Sequence, residues 1–336
     1  MASGRLDSAL ETQSVSDDLR NGRAPLIFFA NGIGDGVLVT PALRAVHRSF
    51  HGRARFVFQD GPDRFLFNEY GRAETGFVNT NLNAQRDGRD FPVDVLREHI
   101  KGCDLFLCFA EWISESLIEL KDSCAPKVSV GFFPDFDICV PRTPTLHQFD
   151  VMFSIPQTAF PELEIEKFSI PLTFSSEVKG AGDDILSALG SRTCIALHPE
   201  SSITDKSYSD QSLRVLIRHL LESTEATICV FGQRDAYSSL ESESCRIVVF
   251  NYLPLELASY LISKMSLFVG VDSCFLHIAD LCRVPTVGLF GPTDPAIWGC
   301  RFAPHTHIRA QAVNEIDKSD VTEAVRSLAD RCQIPI

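Results

Sequence analysis

Along most of the chain, short unbroken apolar runs alternate with stretches whose apolar residues recur every three or four positions, the pattern of buried parallel strands joined by helices. PLIFFA at 25–30 ends in NGIGDG and leads into VLVTPALRAVHRSF at 37–50, which predicts strand, glycine loop and helix. ARFVFQD at 54–60, CDLFLCFAEW at 103–112 and KVSVGF at 127–132 read as further strands. Between 134 and 182 the pattern loosens, and Pro134, Pro141, Pro144, Pro156, Pro161 and Pro171 predict edge elements and an interdomain connection. A second series then begins. RTCIALHP at 192–199, ATICVFG at 226–232, RIVVFN at 246–251, SLFVGVDS at 266–273 and PTVGLFGP at 285–292 are its strands. YSDQSLRVLIRHLLES at 208–223, LPLELASYLISKM at 253–265 and CFLHIADLCR at 274–283 are its helices.

Strands that alternate with helices imply parallel sheets covered on both faces, so the expected class is α/β. At 336 residues, two such domains are the default. The expected division is a frayed N-terminal arm over 1–23, excluded from the core, a first domain over 24–175, a second over 176–318, and a closing helix over 319–336 that packs back on the first domain. That helix has Ser319 at its start and Glu323 near the capping-box position.

Composition is ordinary for a globular protein, at 45% apolar and 22% charged residues. The net charge of −13 disfavours a nucleic-acid partner, and the acidity is shared: residues 1–170 carry −7 and the remainder −6. Eleven cysteines lie singly, with no zinc-type spacing, and read as small buried hydrophobes. With no signal peptide and no stretch near the ~20 apolar residues of a membrane span, a cytoplasmic protein without an integral membrane segment is expected.

The chemistry-bearing segments all fall where a strand gives way to a loop or helix, the edge at which open parallel sheets bind ligands. GVDSCFLH at 270–277 sets Asp272 and Ser273 at a strand-to-helix junction, either as helix caps or as part of an anion site fed by free N–H groups. His277 falls on the first turn that follows, facing a ligand or satisfied in the core. GPTDPAIWG at 291–299 specifies a rigid turn beside it. In HPESSITDKSYSD at 198–210, Lys206 is a counter-charge for phosphate or a solvated lysine, and Ser201 and Ser202 carry hydroxyls. NGIGDGV at 31–37 fails the dinucleotide fingerprint, because its third glycine position is Val37. Its Asp35, at a helix start, is a cap or a general base.

Together these segments resemble glycosyltransferase family 9, the heptosyltransferase-like enzymes of lipopolysaccharide core assembly. GIGDGVLVTPALRAVHRSFHGRARFVF at 32–58, ALHPESSITDKSYS at 196–209 and FVGVDSCFLHIADLCRVPTVGLFGPTDPAIWG at 268–299 carry the resemblance, which spans about 25–330. It implies a GT-B fold, two Rossmann-like parallel-sheet domains facing a central cleft, with acceptor on the first and sugar nucleotide on the second. Carried over by motif, Asp35 would be the catalytic base beside Gly34. Lys206 would stabilise the donor phosphates with Ser201 and Ser202. Asp272, Ser273, Cys274, Phe275 and His277 would line the diphosphate and sugar pocket, Leu253 would pack on the nucleobase, and Asp235 would contact the ribose or base region. Cys274 stands where the family usually has glycine, which narrows the approach to the diphosphate. The implied reaction is an inverting transfer without metal or cofactor from a donor such as ADP-heptose.

The acceptor is less defined. The acidic first half, with Glu111, Glu115 and Glu119, opposes an anionic lipid saccharide and favours a soluble small molecule or a protein. A basic patch of Arg44, Arg48, Arg53 and Arg55 keeps the lipopolysaccharide core open. Glu111 and Trp112 are candidate acceptor contacts, with core packing equally open for Trp112. A nucleotide-sugar epimerase, or a non-catalytic nucleotide-sugar-binding protein of the same fold, is the alternative.

Overall fold

The computed structural model describes residues 18–79, 81–82, 89–190 and 192–336. The chain forms two compact units, Met1–Phe168 and Ser169–Ile336, a division a few residues before the expected one at 175/176.

The first unit contains β1 (Pro25–Phe29), β2 (Arg55–Gln59), β3 (Thr75–Val78), a two-stranded antiparallel pair of β4 (Asn81–Leu82) and β5 (Arg89–Asp90), then β6 (Leu105–Cys108), β7 (Val128–Gly131) and β8 (Ile138–Cys139). Six of these build a parallel sheet in the order β3-β2-β1-β6-β7-β8. The alternate residues of its strands serve different layers. Leu26, Phe28, Phe106 and Cys108 pack with Leu117, Leu120 and Cys124 of the helix Glu115–Cys124, whereas Phe58 stacks on Phe67 and Phe29 meets it edge-on.

The loosely patterned segment holds more than edge elements and a connection. Gln148–Ala159 is a helix whose Phe149, Val151, Met152, Phe153 and Ile155 are all buried. Burial on most sides erased the polar stripe that marks a helix in sequence, and the internal Pro156 disguised it further. His147 starts it, with Nδ1 accepting the Phe149 N–H at 3.2 Å. Of the expected N-terminal arm, residues 1–17 lie outside the described residues. Leu19 is buried and Arg20 donates to the Ala159 carbonyl at 2.8 Å, so this part of the arm belongs to the core it was excluded from.

The second unit repeats the topology with β9 (Cys194–His198), β10 (Thr227–Gly232), β11 (Ile247–Asn251), β12 (Leu267–Val271), β13 (Thr286–Phe290) and β14 (His305–Arg309), all parallel, in the order β11-β10-β9-β12-β13-β14. Ile195, Leu197, Ile228 and Val230 face one helical layer, Asp210–Ser223 with Lys318–Cys332. Cys194, Ala196, Cys229 and Phe231 face the other, Leu255–Ile262 with Cys274–Leu281. Burial on both faces is why these strands read as continuous apolar runs. The C-terminal helix packs on β13, β14 and the helix Asp210–Ser223 of its own unit. Its cap is Asp317, which accepts the Ser319 N–H at 2.9 Å, in place of the expected Ser319. Among the described residues no helix is long and apolar enough to cross a membrane.

Candidate functional site

In each sheet the chain runs outward from one central strand and later returns to that strand's other side. The reversal leaves a crevice beyond the carboxyl ends of β1 and β6 in the first unit and of β9 and β12 in the second.

The crevice of the second unit gathers much of the predicted donor set. β9 ends at His198, and the loop that follows makes a single 3-10 turn, Thr204–Lys206, that returns Lys206 to the sheet edge. β12 ends at Val271, so the next residue, Asp272, stands at the adjacent edge. Lys206 Nζ donates to Asp272 Oδ2 at 2.7 Å, and Thr293 Oγ1 donates to the same oxygen at 2.7 Å. His277 Nε2 lies 3.8 Å from Asp272 Oδ1. Asp272 is almost wholly buried, at 5% exposure, while the Lys206 side chain keeps 16%. Both side chains are therefore largely buried, the lysine less completely than the aspartate.

Ser273 is the N-cap of the helix Cys274–Leu281, but its hydroxyl makes no capping bond. Its Oγ is buried without a hydrogen-bond partner among the described residues. A polar atom left in this state at the start of a helix is costly unless a ligand completes it. Cys274 occupies the first helical position and is half-buried. Phe275 sets its ring edge-on to His198, with centroids 4.7 Å apart. Burial lowers the His198 pKa from its ordinary 6.5 and favours a neutral ring, which shares a hydrogen bond of 2.9 Å with the Phe231 carbonyl.

The loops around the crevice fit closely. A Cβ on Gly291 would lie 2.8 Å from the Asp205 carbonyl, so the loop after β13 passes directly against the Lys206 turn. Ser201 is taken up by that turn, its N–H donating to Ser207 Oγ at 2.9 Å, while Ser202 is exposed. Asp235 lies at a separate place, after β10, where it accepts from Tyr252 Oη at 3.0 Å. This bond raises the Tyr252 pKa. Leu253 is half-buried next to Tyr252 in sequence and packs on the core of its unit.

In the first unit Gly34 and Asp35 open the helix Ile33–Ser49, and Asp35 Oδ2 accepts the Gly32 N–H at 3.1 Å, so the capping role is realised. Glu111 follows β6; its N–H donates to Asn31 Oδ1 at 3.4 Å and its carboxylate pairs with Arg142 at 2.8 Å. Trp112 is buried to 7% exposure and gives its indole N–H to the Ala30 carbonyl at 2.9 Å. This favours the core role over the acceptor contact, because both the ring and its one polar atom are already engaged. Part of the arginine patch is likewise spent on structure, while Arg48 and Arg53 stay exposed. Arg44 is buried against Glu69 at 2.8 Å, Arg53 donates to the Phe50 carbonyl, and Arg55 bonds the carbonyls of His99 and Lys101.

Thr293, Arg142 and Asn31 were not singled out by sequence. Thr293 had a signal, a hydroxyl residue in the turn after the strand next to Asp272. Arg142 and Asn31 had none, since only the folded chain brings them to Glu111. Asp280 was also missed as an individual residue. Fully buried, it accepts the N–H groups of Arg301, Phe302 and Ala303 at 2.7–3.0 Å and pins the turn before β14.

Two parallel sheets of identical order, the second with an ammonium and a helix N-terminus at its reversal point, define the GT-B class of glycosyltransferases. The chain belongs to glycosyltransferase family 9 (heptosyltransferase), whose family model matches residues 146–326. Solved structures similar to it include the family 9 glycosyl transferase from Veillonella parvula, 14% identical over 92% of this chain and 98% of that one, with a TM-score of 0.74. The ADP-heptose lps heptosyltransferase II of E. coli is 15% identical over 92% and 99% of the two chains, with a TM-score of 0.70. E. coli heptosyltransferase WaaC, solved with ADP, is 15% identical over 91% and 100%, with a TM-score of 0.65. At these identities the likeness is one of fold. No curated protein sequence matches the chain.

Proposed function

We propose that this protein is an inverting glycosyltransferase that moves a sugar, heptose by family resemblance, from a nucleoside diphosphate donor to an acceptor hydroxyl. ADP-heptose is the expected donor, and no metal or cofactor is required. The observation that carries this reading is Lys206 held by buried Asp272 at the reversal point of the second sheet, beside the unpartnered Ser273 hydroxyl and a helix N-terminus. These groups suit a leaving diphosphate, whose charge rises as its bond to the anomeric carbon breaks. Asp272 is a carboxylate and would repel that group directly, so its part is to position Lys206. Ser273, Cys274, Phe275 and His277 would surround the diphosphate and sugar, with Leu253 and Asp235 towards the nucleoside. Asp35 would take the proton of the acceptor hydroxyl as its oxygen attacks the anomeric carbon, with Gly34 and Glu111 near the acceptor.

A soluble small molecule or a protein is the favoured acceptor over a lipopolysaccharide core, because Arg44 and Arg55 of the basic patch are engaged within the fold and the first half of the chain is acidic. The test is transfer from ADP-heptose, followed by acceptor mass, with UDP- and GDP-sugars alongside. Asp35→Ala is expected to lower turnover by about 10²–10⁴-fold with ADP binding retained. Undiminished turnover in that variant would refute the assigned base.

A further inference from the structure

We propose that the groove along the helix Glu115–Cys124 is a docking surface for a Lys- and Arg-bearing segment of an acceptor protein. This rests on the transferase reading and sharpens it, making the acceptor a cationic polypeptide. The groove is open to solvent, has a volume of about 850 Å³ and is lined by Ile113, Ser114, Glu115, Ile118, Glu119 and Asp122, with Ser123 at its far end. Leu117, Leu120 and Cys124 turn inward to the core of the unit, so the groove lies on the helix's outer side. Ile113 and Ile118 are half-buried there, while Glu115, Glu119 and Asp122 are exposed.

The three acids stand at i, i+4 and i+7, and like charges at such spacing repel one another along a helix. No ion pair relieves Glu115 or Glu119 among the described residues, and Asp122 has only Lys121 at 3.5 Å. An aliphatic floor with an acidic rim complements a segment that has aliphatic residues on one side and cations beside them. A phosphorylated saccharide matches neither part.

The position of the groove connects it to the chemistry. It starts at the loop after β6, β6 pairs with β1, and the Glu111 N–H reaches Asn31 at 3.4 Å. Its near end therefore adjoins Asn31, in the loop that leads into the helix carrying Asp35. A Ser or Thr in a docked segment would be presented there. Its oxygen would bond to the anomeric carbon as the bond to the diphosphate breaks, with the proton going to Asp35 and the electron pair leaving with the nucleotide.

The experiment uses the full chain with ADP and a labelled amphipathic peptide of Lys, Leu and Ser, about fifteen residues long. Its Glu-for-Lys counterpart and a phosphorylated lipid saccharide serve as competitors. Anisotropy is expected to show binding of the Lys peptide alone, weakening with salt. The double variant Glu115→Lys/Glu119→Lys should weaken it roughly tenfold or more, and Glu115→Gln/Glu119→Gln less, with donor hydrolysis unchanged in both. With ADP-heptose the bound peptide should gain the mass of the sugar. Equal binding of both peptides, indifference to charge reversal, or displacement by the saccharide would overturn the proposal. Charge-selective binding without transfer upholds the docking surface and counts instead against the donor reading.

Discussion

Lys206 and Asp272 are 66 positions apart, yet their side chains meet at 2.7 Å because β9 and β12 are neighbours and each residue lies beyond its strand's carboxyl end. Thr293 closes on the same carboxylate oxygen from the next strand, β13. Three consecutive strands of the sheet thus fix one ammonium group. Its direction is set by the fold before any ligand arrives, which is the kind of preorganisation that favours charge development in a transition state.

Removing either partner should cost both stability and activity. Lys206→Ala is expected to lower kcat about 100-fold, because it deletes a group that acts on the leaving diphosphate, and to destabilise the protein by about 3 kcal/mol, because the buried Asp272 carboxylate loses its counter-charge. Asp272→Ala leaves a largely buried ammonium without its counter-charge and should cost a similar amount as well as activity. Denaturant unfolding beside initial rates measures both effects. An unchanged kcat in the Lys206→Ala variant would contradict the assignment of that ammonium to the leaving group.

Asp280 lies within the same motif but should behave as a structural residue. Its carboxylate serves three backbone N–H groups in a fully buried setting. Asp280→Ala is expected to destabilise the protein by about 3–4 kcal/mol, through donors left unpaired in the interior. Urea unfolding measures this directly. A loss below about 1 kcal/mol would mean that water replaces the carboxylate.

These two aspartates show what was legible in the sequence. The strands were visible because both faces of each sheet are covered, so runs such as CIALH and LFVGV carry no polar residue before their end. The donor crevice was visible because its residues immediately follow those strands. The helix Gln148–Ala159 was not, since burial on most sides removes amphipathic periodicity. Nor were the partners that fix the site residues. Nothing local in the chain indicates that Arg142 pairs with Glu111 or that Trp112 gives its N–H to Ala30, because those relations arise between strands distant in sequence.

Acidification should weaken the protein through His198. Burial lowers its folded pKa below the ordinary 6.5, so from about 6.5 downward the unfolded chain binds more protons than the folded one. Its contribution is complete above 6.5 and is lost as the pH falls towards and past the folded value. His99, also lowered by burial, adds a slope of the same sign from the first unit. Urea unfolding at pH 7.5 and 5.5 should show lower stability at the acid value. His198→Asn should reduce that difference and leave the part due to His99. An unchanged difference in the variant would show that His198 does not protonate on unfolding.

Cys274 gives a test of the donor crevice that does not depend on knowing the acceptor. It starts the helix beside Ser273 and is half-buried, whereas family resemblance places glycine there. If the thiol borders the diphosphate, iodoacetamide should modify it and abolish turnover, and ADP should slow both in parallel. Cys139 and Cys245 are exposed and will also react, so peptide mapping must follow modification at each site. Cys274→Gly should resist inactivation and bind donor several-fold more tightly, at a stability cost of roughly 1 kcal/mol or less for a glycine in the first helical turn. Modification of Cys274 at the same rate with and without ADP would place the thiol away from the nucleotide. The narrowed approach inferred from the sequence would then have no bearing on donor choice.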